Sequence, residues 1–192
     1  MVSVMTVYMQ RIIAISSILE EFRAKRIADF GCGDGKLVNY LCKNSSYKQI
    51  FCVDLSSKKI AKIYKKYFES NVVTCINQSF FDYNKVFNNL DAIILSEVIE
   101  HFDMEKVFVL LNLILSNYKP KILIITTPNR SYNKELKTLN NGLRHSSHVF
   151  ELTEEELTDF IFRINQIYID YYISSGFFND CKASHIIVLE KR

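Results

Sequence analysis

The chain has 192 residues, of which 48% are hydrophobic and 23% are charged, and its formal net charge at pH 7 is +3. This length and apolar content predict one folded domain over residues 1–192, with a single sizeable core. The small net charge argues against an extended electrostatic track for duplex nucleic acid, although a local basic rim could still hold a few phosphates.

Cysteine usage and the N-terminal segment indicate the compartment. The 5 cysteines are an odd number and form no C-x-x-C pair, so we expect neither a disulfide framework nor a cysteine zinc site. Charged residues, among them Arg11 and Glu20, interrupt the apolar N-terminal segment before a membrane span or a signal h-region is complete. We therefore expect a soluble, cytoplasmic protein with no membrane association.

An amphipathic helix opens the chain, because Tyr8, Ile12, Ile15, Leu19 and Phe22 recur three and four residues apart. Short β-branched or aromatic runs then alternate with helical patterns, which predicts right-handed β-α-β crossovers. Each run is too short for a helix and apolar enough for a strand that is buried on both faces. These candidate parallel strands are "RIADF", "QIFCVD", "VVTCI", "LDAIIL" and "KILIITT".

The C-terminal third carries a long loop, a helix and two further strands. Residues 128–148 have no periodicity over about 20 residues, a length at which a loop is usually functional, so we expect a lid. Thr153 and Glu156 form a capping box that predicts the next helix. The runs "QIYIDYYI" and "SHIIVLE" predict an antiparallel edge. The expected fold is a Rossmann-like α/β fold: a seven-stranded, mostly parallel, doubly wound sheet with an antiparallel edge strand.

The segment "IADFGCGDG" follows the first strand and precedes a helix, with glycines at Gly31, Gly33 and Gly35. Glycine lets the backbone turn sharply and lets a ligand approach the main chain. The spacing differs from the G-x-G-x-x-G dinucleotide fingerprint, and Asp29 and Asp34 would repel a pyrophosphate. A cationic, non-phosphorylated ligand fits better, and the segment resembles motif I of the class I S-adenosylmethionine methyltransferases.

Further donor contacts are expected at the carboxyl ends of the next strands. Asp54 ends the second strand about twenty residues after the glycines, where a carboxylate can accept hydrogen bonds from both ribose hydroxyls; the alternative is an ordinary solvated strand end. Ser79 and Phe80 would cover the adenine, unless the aromatic ring is simply core. Cys32 would contribute its backbone. The expected donor-binding set is Asp29, Gly31, Cys32, Gly33, Asp54, Leu55, Ser79, Phe80 and Ser96.

The segment "SEVIEH" places two carboxylates and an imidazole directly after the fourth strand. If it begins a helix, Glu97, Glu100 and His101 share one face and form a ligand set suited to Mg²⁺, Mn²⁺, Co²⁺ or Zn²⁺. The alternative is structural, because similar strings occur in small-molecule methyltransferases of this fold without binding metal. His148 in "LRHSSHVFE" follows the fifth strand, which neighbours the fourth, and could complete the set.

Taken together, these segments resemble the HEN-type family of small-RNA 3′-terminal 2′-O-methyltransferases, which methylate the last ribose of small RNAs or of repaired RNA ends. The resemblance runs nearly end to end, through "VYMQR", "ADFGCGDG", "SEVIEH", "ITTPNRSYN" and "LRHSSHVFELT". It implies S-adenosylmethionine as methyl donor and one divalent metal ion, Mg²⁺, Mn²⁺ or Co²⁺, held by Glu97, Glu100, His101 and His148 as the catalytic residues. The metal would engage both hydroxyls of the terminal ribose.

The resemblance also implies how the RNA is held. Arg11, Asn129, Arg130 and Arg144 match family positions near the RNA end and would hold terminal phosphates. The substrate would be the 3′ end of a small RNA that is single-stranded or presented by a protein, with an Argonaute/Piwi-type or RNA-repair protein as the partner.

Two positions depart from the family pattern. Ser147 replaces the usual aspartate, which removes an acceptor for an imidazole N–H and predicts weaker or retuned metal binding; we do not expect His145 to compensate. Leu152 stands where tryptophan is usual. Two other functions therefore stay open: a metal-independent methyltransferase for a small metabolite or quinone precursor, and a donor-binding scaffold within an RNA–protein complex.

Overall fold

The computed structural model describes residues 7–44, 47–136, 139–174 and 183–192. The helices are α1 (Val7–Glu21), α2 (Lys36–Leu41), α3 (Ser57–Tyr67), α4 (Met104–Asn112) and α5 (Glu154–Ile167). The strands are β1 (Arg26–Phe30), β2 (Gln49–Asp54), β3 (Val73–Asn77), β4 (Ala92–Ser96), β5 (Ile122–Pro128), β6 (Tyr171–Ser174) and β7 (Ser184–Lys191).

The seven strands form one sheet in the order β3-β2-β1-β4-β5-β7-β6. The first five strands run parallel, and β7 and β6 add an antiparallel edge. The predicted fold class is therefore confirmed. Phe30 aligns with Leu95 at the β1–β4 pair, and Ser96 aligns with Thr126 at the β4–β5 pair. The carboxyl ends of β1, β4 and β5 thus meet at one edge, where α/β proteins bind ligands.

Helices cover both faces of the sheet, as expected for parallel strands that are apolar on both sides. Successive β1 residues point to opposite faces, so Ile27 packs with Ile15 of α1 and Val38 of α2, whereas Phe30 packs in the cluster that contains Leu110 of α4. Among the residues that the structure describes, no helix has both the length and the apolar character that crossing a membrane requires.

The main difference in element boundaries lies near the C-terminus. The run "QIYIDYYI" divides between two elements, because α5 continues to Ile167 and β6 begins only at Tyr171. The N–H of Tyr168 still donates to the carbonyl of Ile164, so the helix started by the capping box takes the first part of the apolar run. The predicted loop contains a short 3-10 helix at Arg130–Glu135, and its residues 137–138 lie outside the described residues, as does Cys181.

Candidate active site

A tight turn after β1 contains the glycines that were predicted to contact the donor. Gly31 and Gly35 have φ values of +80° and +73°, in the left-handed region that favours glycine. A Cβ at Gly31 would lie 2.7 Å from Cγ2 of Val98, and a Cβ at Gly35 would lie 2.8 Å from Cγ1 of Ile63. Both backbone conformation and space therefore require glycine at these two positions.

Two acidic side chains stand beside this turn. Oδ2 of Asp54 accepts a hydrogen bond from the Gly33 N–H at 3.0 Å, and Oδ1 accepts one from the Ser56 N–H at 2.8 Å. Asp29 is buried, and burial followed by the charge of Asp54 raises the pKa of Asp29 to about 7. A cationic ligand beside this buried carboxyl would favour its ionised form.

Other predicted donor residues lie around the same edge. The Ser79 hydroxyl accepts from the Phe81 N–H at 3.2 Å. The ring of Phe80 stacks on Phe30 with 6.0 Å between ring centroids, so it extends the aromatic part of the core. Leu55 follows Asp54 and is 72% exposed, which makes it an apolar surface beside the ribose-binding carboxylate that we expect.

Cys32 and Ser96 are held by neighbouring strands. The Cys32 thiol is buried and is hydrogen-bonded to the Cys52 thiol. This hydrogen bond, a second one from Cys75 and burial together raise the pKa of the Cys52 thiol. The Cys32 side chain is part of the interior. The Cys32 backbone is also engaged, because its N–H donates to the Val53 carbonyl oxygen at 3.1 Å and its carbonyl oxygen accepts from the Gly35 N–H at 3.0 Å. Oγ of Ser96 lies 3.3 Å from Oγ1 of Thr126, within hydrogen-bonding distance across β4 and β5.

The "SEVIEH" segment does not form the α-helix that the sequence suggested. After β4 ends at Ser96, Glu97 adopts φ +55°, and only Ile99–His101 form a 3-10 turn. A non-glycine residue in this region is uncommon, and such residues cluster at functional sites. The i, i+3, i+4 arrangement is therefore absent, and Glu97 stands apart from the two residues that it was expected to accompany.

Glu97 is fixed by two other elements. Its Oε2 lies 3.1 Å from Nη1 of Arg11 on α1, and its Oε1 accepts a hydrogen bond of 3.1 Å from the Thr126 hydroxyl. The Glu97 N–H also donates to the Thr126 carbonyl oxygen at 2.9 Å. The Glu97 carboxylate is thus paired with the guanidinium of Arg11, a residue that was predicted to hold RNA phosphates.

Glu100 has a different environment, with 0% of its surface exposed. Its Oε2 accepts a hydrogen bond from the Thr127 hydroxyl at 3.2 Å, whereas its Oε1 is buried and has no partner among the described residues. Burial, followed by the charge of Glu97, raises the pKa of Glu100 well above its ordinary value. A buried carboxylate oxygen without a partner is costly unless another group binds it.

The long loop brings His148 to this carboxylate. The Val149 N–H donates to the Glu100 carbonyl oxygen at 2.7 Å, which ties the loop to the turn after β4. Glu100, His101 and His148 each offer one ligand atom, and the three atoms lie within 4.8 Å of one another. Their oxygen and nitrogen donors can hold a divalent metal.

A second layer of residues orients His148. Its Nδ1 lies 2.6 Å from Oε1 of Glu151, which is 1% exposed. The same oxygen accepts from the Arg144 N–H at 2.7 Å, and Oε2 accepts from the Asn133 amide at 2.6 Å. Although burial raises the pKa of Glu151, these hydrogen bonds outweigh it and lower that pKa. Nδ1 of His148 therefore donates, which leaves Nε2 free for a metal.

His101 is oriented by Ser147. Nδ1 of His101 lies 3.0 Å from Oγ and 3.2 Å from the carbonyl oxygen of this serine. Because the carbonyl only accepts, Nδ1 is assigned as the protonated nitrogen. Burial, only partly offset by this carbonyl, lowers the pKa of His101 and favours the neutral imidazole that binds metals.

The residues predicted to hold RNA phosphates all have partners within the chain. Arg130 pairs with Glu156, and the Arg144 guanidinium donates to Asn133 and to the carbonyl oxygen of Asn129. The side chain of Asn129 caps the 3-10 turn by accepting from the Ser131 N–H. Arg11 is likewise paired within the chain, with Glu97.

Four residues of the site were not predicted: Thr126, Thr127, Asn133 and Glu151. Thr126 and Thr127 could have been found from their position, because they are the two hydroxyl residues near the carboxyl end of a strand that is otherwise apolar. The signal for Glu151 is its spacing from His148, three residues along the loop.

Comparisons with known proteins show which chains this one is similar to. Residues 27–121 match the family model described as a methyltransferase domain. The small RNA 2′-O-methyltransferase of Arabidopsis thaliana is 27% identical over 170 residues, covering 77% of this chain and 18% of that protein. The Drosophila melanogaster protein of the same name is 26% identical over 188 residues, covering 88% of this chain and 48% of that protein. The chain thus spans less than half the length of these relatives.

Solved structures give the same result for the fold. The methyltransferase domain of bacterial CtHen1-C has a TM-score of 0.82 at 24% identity, with 97% of this chain and 99% of that chain covered. The small RNA methyltransferase HEN1 has a TM-score of 0.81 at 25% identity, with 97% and 26% covered. A chain of the Pnkp1/Rnl/Hen1 RNA repair complex has a TM-score of 0.69 at 24% identity, with 97% and 42% covered. By sequence the chain is similar to small RNA 2′-O-methyltransferases, and by fold it is similar to the methyltransferase domains of Hen1 proteins.

Proposed function

We propose that the chain is a metal-dependent RNA methyltransferase, which transfers a methyl group from S-adenosylmethionine to the 2′-OH of the 3′-terminal nucleotide of a small RNA. The observation that carries this proposal is the buried Glu100, whose Oε1 has no partner among the described residues and stands beside His101 and His148. Most buried carboxylate oxygens have a hydrogen-bond partner, so an unpartnered one points to a ligand.

The donor would occupy the turn after β1. The backbone at Gly31, Cys32 and Gly33 leaves room for the methionine end, and the neighbouring Asp29 complements its positive charge. Asp54 would accept hydrogen bonds from the ribose hydroxyls, with Leu55, Ser79 and Phe80 around the adenine and Ser96 beside the reacting methyl group.

The residues present fit a divalent metal ion. Glu100 offers its unpartnered oxygen, and His101 and His148 each offer the ring nitrogen that their hydrogen bonds leave free. Glu97 would be the fourth ligand, for which its carboxylate must turn from Arg11. A bound Mg²⁺, Mn²⁺ or Co²⁺ ion lowers the pKa of a hydroxyl that it binds and orients that hydroxyl.

The acceptor would be a ribose that carries both a free 2′-OH and a free 3′-OH, a combination that an uncapped RNA strand presents only at its 3′ end. Glu100 and the two imidazoles would position this diol so that the 2′ oxygen attacks the sulfonium methyl in line. The new O–CH₃ bond would form as the S–CH₃ bond breaks, with S-adenosylhomocysteine as the leaving group and the 2′ proton released to solvent. Base identity should matter little, because the groups that react are sugar hydroxyls.

The test is methylation of an unmodified small RNA with S-adenosylmethionine and Mn²⁺, followed by periodate oxidation and β-elimination. We expect the product to resist periodate, and an RNA with a 3′-terminal 2′-deoxyribose to accept no methyl group. Glu100→Gln should abolish methylation while donor binding persists, and Glu105→Gln, at an exposed glutamate of α4, is the matched control.

Two results would contradict the proposal. An RNA end that stays periodate-sensitive with donor and Mn²⁺ present would leave only donor binding, as a scaffold would show. Methyl transfer to a small metabolite that continues in a chelator, together with normal turnover by Glu100→Gln, would favour the metal-independent enzyme.

We also propose the setting of the reaction. Residues 1–192 would act as one catalytic domain in the cytoplasm, on an RNA end that is single-stranded or delivered by an Argonaute/Piwi-type or RNA-repair partner. Crosslinking of end-labelled RNA to the purified protein, alone and with cell extract added, would distinguish direct capture from delivery.

A further inference from the structure

A line of three polar side chains runs from the proposed metal ligand His101 through Ser147 to His145. Nδ1 of His101 lies 3.0 Å from Oγ of Ser147, and this Oγ lies 2.7 Å from Nδ1 of His145. The Ser147 N–H also donates to Nδ1 of His145 at 3.2 Å. The inference drawn from this line rests on the proposed metal site and concerns which residue orients His101.

The backbone hydrogen bond sets the direction of the whole line. Because the Ser147 N–H donates to Nδ1 of His145, that nitrogen is an unprotonated acceptor. The Ser147 hydroxyl can then donate to the same nitrogen, so its own lone pairs are left to accept from His101. His101 must therefore carry its proton on Nδ1, and Nε2 keeps the lone pair that a metal needs.

Without His145 this direction is no longer fixed. The Ser147 hydroxyl would lose its acceptor and could rotate to donate to Nδ1 of His101, which would move the imidazole proton to Nε2. An imidazole protonated at Nε2 cannot bind a metal through that atom. The Ser147 carbonyl oxygen, at 3.2 Å from Nδ1 of His101, retains part of the original preference.

We propose that His145 is a positioning residue: acting through Ser147, it fixes the imidazole of His101 with Nε2 toward Glu100 and His148. His145 itself is not one of the three residues whose ligand atoms converge. Its ring centroid lies 5.7 Å from that of His148, and its side chain is exposed. Ser147 and His145 together thus orient His101, as Glu151 alone orients His148.

The experiment measures Co²⁺ affinity by calorimetry and by the visible absorption of the bound ion, with donor affinity as a check on folding. We expect His145→Ala to weaken Co²⁺ binding by about tenfold, the lower end of the range for residues that orient metal ligands. His145→Asn, which keeps an acceptor near the Nδ1 position, should restore most of the affinity. Ser146→Ala, at the adjacent exposed serine, is the matched control.

A second background makes the proposal sharper. In Ser147→Asp a carboxylate would accept directly from Nδ1 of His101, so His145 should no longer matter. Adding His145→Ala there should change the Kd for Co²⁺ by less than about twofold, which would establish coupling between the two positions.

The outcomes separate this inference from the proposed function. If the unaltered protein binds Co²⁺ and His145→Ala binds it equally well, the role of His145 is refuted and the metal site stands. An equal loss of affinity in the serine and aspartate backgrounds would also refute it. If the unaltered protein binds no divalent ion, the metal site and the inference fail together.

Discussion

Oε1 of Glu151 lies 2.6 Å from Nδ1 of His148, inside a segment that sequence analysis treated as a loop. The same carboxylate accepts from the Arg144 N–H and from the Asn133 amide. One buried glutamate therefore satisfies three donors and fixes the ring that faces Glu100.

Glu151→Gln should weaken metal binding by about tenfold to a hundredfold. In glutamine an NH₂ group replaces one of the two carboxylate oxygens. This NH₂ group would face either the Asn133 amide or the donors from Arg144 and His148, so at least one buried donor would lose its acceptor. Calorimetric titration with Mn²⁺ measures the effect, and the exposed Glu154→Gln is the control. Equal Mn²⁺ affinity in the two variants would show that Glu151 does not orient His148.

Arg11→Gln should lower the Tm without metal and increase the rise in Tm that Mn²⁺ produces. The guanidinium compensates Glu97, whose charge also acts on Glu100, and a metal ion would replace that compensation. A loss of about 1 kcal/mol for this half-buried pair corresponds to roughly 2–4 °C. Thermal unfolding with and without Mn²⁺ checks this, with Arg26→Gln at an exposed side chain as control. If Arg11 served only RNA phosphates, neither Tm would move.

Donor affinity should rise with pH between about 5.5 and 7.5. Burial, followed by the charge of Asp54, raises the pKa of Asp29 to about 7, so below that pH the folded protein keeps a neutral carboxyl. A cationic donor favours the ionised form, and its binding must then release a proton, which costs at most about tenfold in Kd per pH unit. Calorimetry across this range tests the slope. Asp29→Asn should remove it, and a slope that persists in the variant would assign the titration elsewhere.

The raised pKa of Asp29 has the opposite effect on the stability of the fold. The pKa of Asp29 is higher in the folded state than its ordinary value of 3.8, so the folded chain binds more protons than the unfolded chain between about pH 4 and 7. The contribution of Asp29 to the free energy of unfolding therefore falls as the pH rises through this window. Urea titrations without donor should show a smaller decrease in Asp29→Asn than in the unaltered protein.

Thr153→Ala should lower the free energy of unfolding by about 1 kcal/mol. The Thr153 hydroxyl accepts from the Glu156 N–H at 3.2 Å, and the Glu156 carboxylate accepts from the Thr153 N–H at 2.8 Å. Both bonds satisfy donors at the start of α5 that have no helical partner. Urea unfolding measures the change, with Thr158→Ala inside the helix as control. Similar midpoints for the two variants would mean that the capping box adds no stability.

The conformation could be predicted from the sequence wherever one short stretch of residues determines it. Thr153 and Glu156 interact across three residues, and the glycine turn needs positive φ whatever lies further away. The first five strands were also predictable to within one or two residues, because buried parallel strands are apolar throughout.

The conformation could not be predicted from the sequence where residues far apart in the chain determine it. Glu97 leaves the helical pattern because Thr126 on the neighbouring strand and Arg11 on α1 hold its backbone and carboxylate. Neither contact can be read from the spacing within "SEVIEH". The line from His101 through Ser147 to His145 joins residues 46 positions apart, and a substitution that looked like a loss becomes intelligible only when His145 is seen beside it.

The backbone hydrogen bond between Val149 and Glu100 has a further consequence. The glutamate whose side chain offers an oxygen also secures, through its own carbonyl, the segment that delivers the second imidazole. We therefore expect a change that breaks this hydrogen bond to displace His148 from Glu100, so that the position of the second imidazole depends on the backbone of the residue that it faces.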